Sequence, residues 1–303
     1  MVISSLLDKL LSELSKTENL INDLLDSSTI RNNTKKPEVI GDYRIIIPNS
    51  PRRCWGILND DGIIKQANSL KAFNSSFEII EFISSDKPNN IKSKISGIKS
   101  SLISFINQKN FPGAPISISE AKRTVCSKFE DLRKLLDSFK LIDEQGFILI
   151  PDTNALIRNP DIQTYGSSIN SNTYTVIFIP TVLGELDDLK VKHRDEQFRQ
   201  KVESVIKRIK GFRQQGSLLD GVITYKTVTV KTIAKEPKAD EVLSWLDKDV
   251  PDDRIIASAL EIQRQNLGAK VVLVTSDINL QNKAEAARLP HIETPEQKQS
   301  TRQ

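Results

Sequence analysis

The chain has 303 residues, a formal net charge of +4, 38% hydrophobic and 27% charged residues, a balance that suits two soluble globular domains of ordinary size. No apolar run approaches the roughly 18 residues of a membrane helix, and no signal-peptide pattern follows Met1, because Asp8, Lys9, Glu13 and Lys16 interrupt the apolar residues. With two histidines and two widely spaced cysteines, Cys54 and Cys126, zinc clusters and most histidine triads are not expected, no disulfide framework is indicated and a reducing cytoplasm is expected.

Val2 to about Asp26 carries apolar residues at Ile3, Leu7, Leu10, Leu14, Ile21 and Leu24, with polar Thr17 breaking the seam. The stripe predicts an amphipathic helix, packed on its own domain or used in self-association. Ser27 to Pro37 is polar and reads as a linker or long loop. Short apolar runs follow at 43–47 and 55–58, with Asn59-Asp60-Asp61-Gly62 as a turn, which suggests a small hairpin. Helical periodicity returns after Ser75, through Phe77, Ile80 and Ile83 and then Ile91, Ile95, Ile98, Leu102 and Phe105. Phe111-Pro112-Gly113-Ala114-Pro115 breaks it, and Ser119 with Glu120 suits the start of a further helix to about Leu141. Residues 1–140 therefore read as a mainly helical, α+β accessory module without any catalytic spacing. A homo-oligomer or a protein partner would use it.

The second half alternates strand and helix signals. Apolar runs at 147–150, 175–179, 222–230 and 271–274 are separated by helical stretches near 197–213, 253–266 and 280–288. This is an α/β pattern, a parallel sheet flanked by helices over 147–293, with 294–303 as a polar tail. Such sheets bind ligands at the carboxyl ends of their strands. Asp152, Glu185 and Asp277 each stand just past an apolar run, and Asp253 opens the helix Arg-Ile-Ile-Ala-Ser-Ala-Leu. One acid after a strand is ordinarily a turn residue or a helix cap. Four at one edge repel each other unless a hard cation such as Mg²⁺ or Mn²⁺ is present.

Four segments, F-I-L-I-P-D-T-N from Phe147, P-T-V-L-G-E-L-D-D-L-K from Pro180, P-D-D-R-I-I-A-S-A-L from Pro251 and V-L-V-T-S-D-I-N-L-Q-N-K from Val272, resemble in order the motifs of PIN-domain nucleases. The resemblance covers roughly the last 150 residues and implies a metal-dependent endoribonuclease acting on single-stranded or structured RNA. By that resemblance Asp152 is the first acid, Glu185 the second and Asp277 the fourth. Asp253 is the third, because it stands three residues before Ile256-Ala257, whereas Asp252 is one position early and suits a helix cap. Mg²⁺ or Mn²⁺, as one ion or two, would be held by these four, with Asn154, Asn279, Thr275 and Ser276 as supporting polar groups. The alternatives are a nuclease of DNA flaps and a silent RNA-binding scaffold on the same fold.

The helical stretch 197–213 is expected to carry Phe198, Val202, Val205, Ile206, Ile209 and Phe212 on an apolar face and Arg199, Lys201, Lys207, Arg208, Lys210 and Arg213 on the other. That face is either solvated or a wall that tracks phosphates, in which case Lys207, Arg208 and Arg213 bind substrate. Trp245 is expected in a helix and in the core, His193 and His291 as surface or packed residues, and Asp187 and Asp188 as surface acids.

Overall fold

The computed structural model describes residues 3–33, 39–40, 43–44, 52–108, 115–140 and 146–296. The end of the apolar run at 45–47, the breaker at 111–114, part of the expected linker and most of the polar tail lie outside these. The chain divides into two compact units, residues 10–137 in one and residues 1–9 with 138–303 in the other.

In the first unit, α1 (Leu6–Asp26) buries Leu10, Leu14, Ile21, Leu24 and Leu25. Thr17 sits in the same buried stripe because its hydroxyl donates to the Glu13 carbonyl at 3.0 Å, so a polar residue costs the helix little there. β1 (Ile30–Asn33) lies in the segment expected to be a linker, followed by the two-residue strands β2 (Val39–Ile40) and β3 (Tyr43–Arg44), which pair antiparallel. β4 (Arg52–Trp55) pairs antiparallel with β1, Trp55 opposite Ile30. The expected turn at Asn59 is instead a helix start. Asn59 accepts a hydrogen bond from the Gly62 N–H at 2.9 Å and caps α2 (Asp60–Ile83), whose first turn carries Asp60 and Asp61. α3 (Asn89–Asn107) buries Ile95, Ile98, Leu102 and Phe105 and packs on α2. α4 (Ile118–Lys140) buries Ala121, Val125, Phe129, Leu132 and Leu136 at helical spacing, and its Arg133 pairs with Glu18 of α1.

The second unit opens with β5 (Phe147–Pro151), the short helices α5 (Thr153–Arg158) and α6 (Gly166–Ile169), and β6 (Tyr174–Phe178). Next come α7 (Pro180–Lys192) and α8 (Glu196–Gln215), then β7 (Val222–Thr224) and β8 (Val228–Thr232). α9 (Ala239–Val242), α10 (Pro251–Gln265), β9 (Lys270–Val274), α11 (Ile278–Ala286) and β10 (His291–Ile292) complete it.

Six strands form one sheet in the order β10-β9-β5-β6-β8-β7. β9, β5, β6 and β8 run parallel, with Leu149 of β5 opposite Val272 on one side and Val176 on the other. Four of the five residues in each of β5, β6 and β9 are buried, as expected for strands covered on both faces. One correction concerns the run at 222–230, which is a hairpin and not a single parallel strand. Tyr225 and Lys226 turn the chain at φ 50° and 68°, and β7 pairs antiparallel with β8. Every parallel strand therefore ends at one edge, and the first residues of the crossover helices gather there.

Candidate active site

β5 ends at that edge, and Asp152 immediately caps α5. One carboxylate oxygen accepts from the Ala155 N–H at 2.5 Å, and the other accepts from the hydroxyl of Thr275, the residue just past β9. The same Thr275 oxygen accepts from the Asp277 N–H at 3.0 Å. Asp277 in turn caps α11, accepting from the N–H groups of Asn279 at 2.7 Å and Leu280 at 3.2 Å. One buried hydroxyl thus links two acids from neighbouring strands. Glu185 is in the second turn of α7. This helix starts at Pro180, because proline is favoured at the first helical position. The Glu185 carboxylate accepts from the hydroxyl of Thr153, beside Asp152.

Burial pushes the Asp152 carboxyl above the usual carboxylate range. The bonds from Thr275 and Ala155 oppose the shift, and the negative charges of Asp277 and Glu185 add to it. Asp152, 3% exposed, therefore carries the charge effect of two of the other three expected acids.

The fourth is placed differently. Asp253 stands in the first turn of α10 and is buried. Its Oδ2 accepts from the Asp247 N–H at 2.9 Å, while its Oδ1 lies 2.7 Å from the Lys283 ammonium, which also reaches Asp252 at 3.4 Å. Burial draws the Lys283 pKa down, but Asp253 and Asp252 outweigh it and the net shift is upward. Among the described residues, no three His, Cys, Asp or Glu side chains are arranged to hold a metal ion. Charges act over several ångströms, whereas coordination to Mg²⁺ needs about 2 Å. Here the oxygens are turned toward N–H groups, hydroxyls and one ammonium.

The supporting residues divide. Thr275 is fully buried between two acids. The Ser276 hydroxyl accepts from the Thr294 N–H at 3.3 Å and holds Glu293 below the usual range, so it serves the end of β10. Asn154 and Asn279 are exposed at the rim. Among the proposed substrate residues, Lys207 lies 3.6 Å from Glu203 of its own helix. Arg208 donates to the Pro160 carbonyl at 2.8 Å and sits 3.6 Å from Asp161. Arg213, with Lys210, lines a cavity of about 250 Å³ between α7 and α8, floored by Phe178 and Thr232 at the ends of β6 and β8. The three side chains thus have different neighbours along α8. A larger cavity, about 610 Å³, opens among Gly146, Phe147 and Lys270 at the opposite edge, away from the acids.

Trp245 is a correction. It lies in a turn and not a helix, 43% exposed, two residues before the N–H that holds Asp253. Thr153, Glu236, Asp247 and Lys283 are the contributors that sequence reasoning missed. Glu236 caps α7 by accepting from the Thr181 N–H at 2.5 Å and its hydroxyl at 2.8 Å. Thr153 and Lys283 lie inside the quoted motifs, and their position there was the available signal.

Residues 149–294 match the family model described as PIN domain. This part of the chain belongs to the PIN-domain family. No curated protein matches the chain at a significant level. The PIN domain supplies a nuclease-type fold, in a family whose members are generally nucleases that bind nucleic acid and use divalent metals. No helix among the described residues is long and apolar enough to cross a membrane.

Proposed function

We propose that the PIN domain is an endoribonuclease that hydrolyses RNA phosphodiester bonds with Mg²⁺ or Mn²⁺ held by Asp152, Glu185, Asp277 and Asp253. The observation that carries this is the gathering of like charge around a buried carboxylate at the sheet edge. Asp152 is buried, and two further carboxylates raise its pKa. Such a cluster is costly in an empty fold and favourable around a cation. The donor set fits the ion, since hard divalent ions take carboxylate oxygens. A cation is already accepted at this edge, where the Lys283 ammonium rests on Asp253.

When bound, the ion would acidify a water and offset charge on the phosphate and the leaving 3′-oxygen. The chain's own contribution is to fix the acids. Thr275 and Ala155 hold Asp152 in one rotamer, and the cap on α11 does the same for Asp277. Glu185, half-buried and bonded only from the Thr153 side among the described contacts, orients the attacking water. Thr275, shared by both strand-end acids, keeps their spacing constant.

The test is cleavage of labelled single-stranded RNA by purified chain with Mn²⁺, beside single-stranded DNA and a flap substrate. Asp152→Asn is expected to lower the rate at least a hundredfold with an unchanged circular dichroism spectrum, because asparagine also caps helices. Cleavage at the parental rate by that variant would sink the assignment. Preference for the flap would move the substrate to DNA, and no cleavage of any substrate would leave a scaffold.

A further inference from the structure

Lys283 belongs to α11, yet its ammonium is spent on α10. It lies 2.7 Å from Asp253 Oδ1 and 3.4 Å from Asp252 Oδ2. The two carboxylates differ in setting. The Asp253 side chain is 8% exposed and also holds the Asp247 N–H, whereas that of Asp252 is 37% exposed. A divalent ion on Asp253 and an ammonium on the same buried carboxylate repel each other, and the repulsion is strong where water is scarce. Lysine is suited to yield, being a point charge on a flexible stem, whereas arginine forms fixed bidentate pairs. Asp252, already within 3.4 Å, offers the ammonium a second carboxylate without a return to bulk water.

We propose that Lys283 is a tethered counter-ion of the metal centre, which neutralises Asp253 while no divalent ion is bound and steps across to Asp252 when one arrives. This rests on the reading of Asp253 as a metal ligand and gives Asp252 a part of its own. The pair would set the ion concentration at which the centre loads. Without metal, Asp253 is not left as a bare buried charge, which would be strongly destabilising.

The experiment is a Mn²⁺ titration of the full chain followed by electron paramagnetic resonance, which reads binding without turnover. Lys283→Met removes the competitor and is expected to bind Mn²⁺ about tenfold more tightly, an order-of-magnitude value for one partly screened charge. Lys283→Arg keeps the charge and is expected to bind no more tightly than the parent. Asp252→Asn removes the second resting place and is expected to weaken Mn²⁺ binding about fivefold in the parent background, where Lys283 is present. In the Lys283→Met background, where no ammonium needs that resting place, the same change is expected to weaken binding less than about twofold. Unchanged or weaker binding by Lys283→Met, or an equal effect of Asp252→Asn in both backgrounds, overturns the proposal while leaving the metal centre standing. A parent chain that takes up no Mn²⁺ removes the metal centre and the proposal together.

Discussion

Asp152 does two jobs with one carboxylate, and they pull its proton affinity in opposite directions. As the cap of α5 and the acceptor from Thr275 it is stabilised when ionised, while burial and the charges of Asp277 and Glu185 favour the neutral form and prevail. Its native pKa therefore lies above that of the unfolded chain. Over the window between the two values the folded state keeps a proton that the unfolded chain has released. The contribution to stability is complete below the unfolded value and is lost as pH rises through the native one. In the presence of a chelator, Asp152→Asn should therefore be more stable than the parent at neutral pH, with the gap closing toward acid. Urea denaturation across pH 3 to 8, with the range chosen to bracket roughly the ordinary carboxylate pKa, measures it. A constant gap would mean that burial does not govern this carboxyl.

At the scale of elements, legibility in the sequence followed locality. The runs at 147–150 and 271–274 read as buried strands because four of five residues in β5 and β9 are enclosed, a pattern that needs no partner to be seen. The stripe of α8 was equally plain, with Val202, Val205, Ile206 and Phe212 buried. Asp152 and Asp277 could be placed past strand ends for the same reason, since a polar residue after an apolar run marks a strand end. What escaped depended on contacts distant in sequence or on turn geometry. Lys283 meets Asp253 across two helices, and Glu236 caps α7 from well downstream. The β7–β8 turn uses Tyr225 and Lys226 at positive φ where glycine or asparagine would signal it. Tyr225 is retained by its edge-on contact with Phe212, ring centroids 6.5 Å apart. Lys226 has no such contact among the described residues, so Lys226→Gly should relieve left-handed strain and stabilise the domain by about 1 kcal/mol. Thermal denaturation reads this, and a loss of stability would show that the lysine side chain matters to the hairpin.

At the scale of the molecule, residues 1–9 cluster with the PIN-containing unit although they are its most distant stretch in sequence. Leu6 and Leu7 at the start of α1 are fully buried. Truncating either to alanine is expected to cost about 2–5 kcal/mol, and hydrogen exchange should show the loss in residues 146–296 as well as in α1. Protection unchanged throughout 146–296 would assign these leucines to the other unit. The six-stranded sheet ends in β7 on one side and β10 on the other, strands of three and two residues. Among the described residues, so little unpaired main chain is left at either margin that a neighbouring strand finds almost no template to extend. Any assembly built on this domain must accordingly be chosen by side chains on helices and loops, where sequence can discriminate between partners, and not by backbone continuation, which would accept almost any extended peptide.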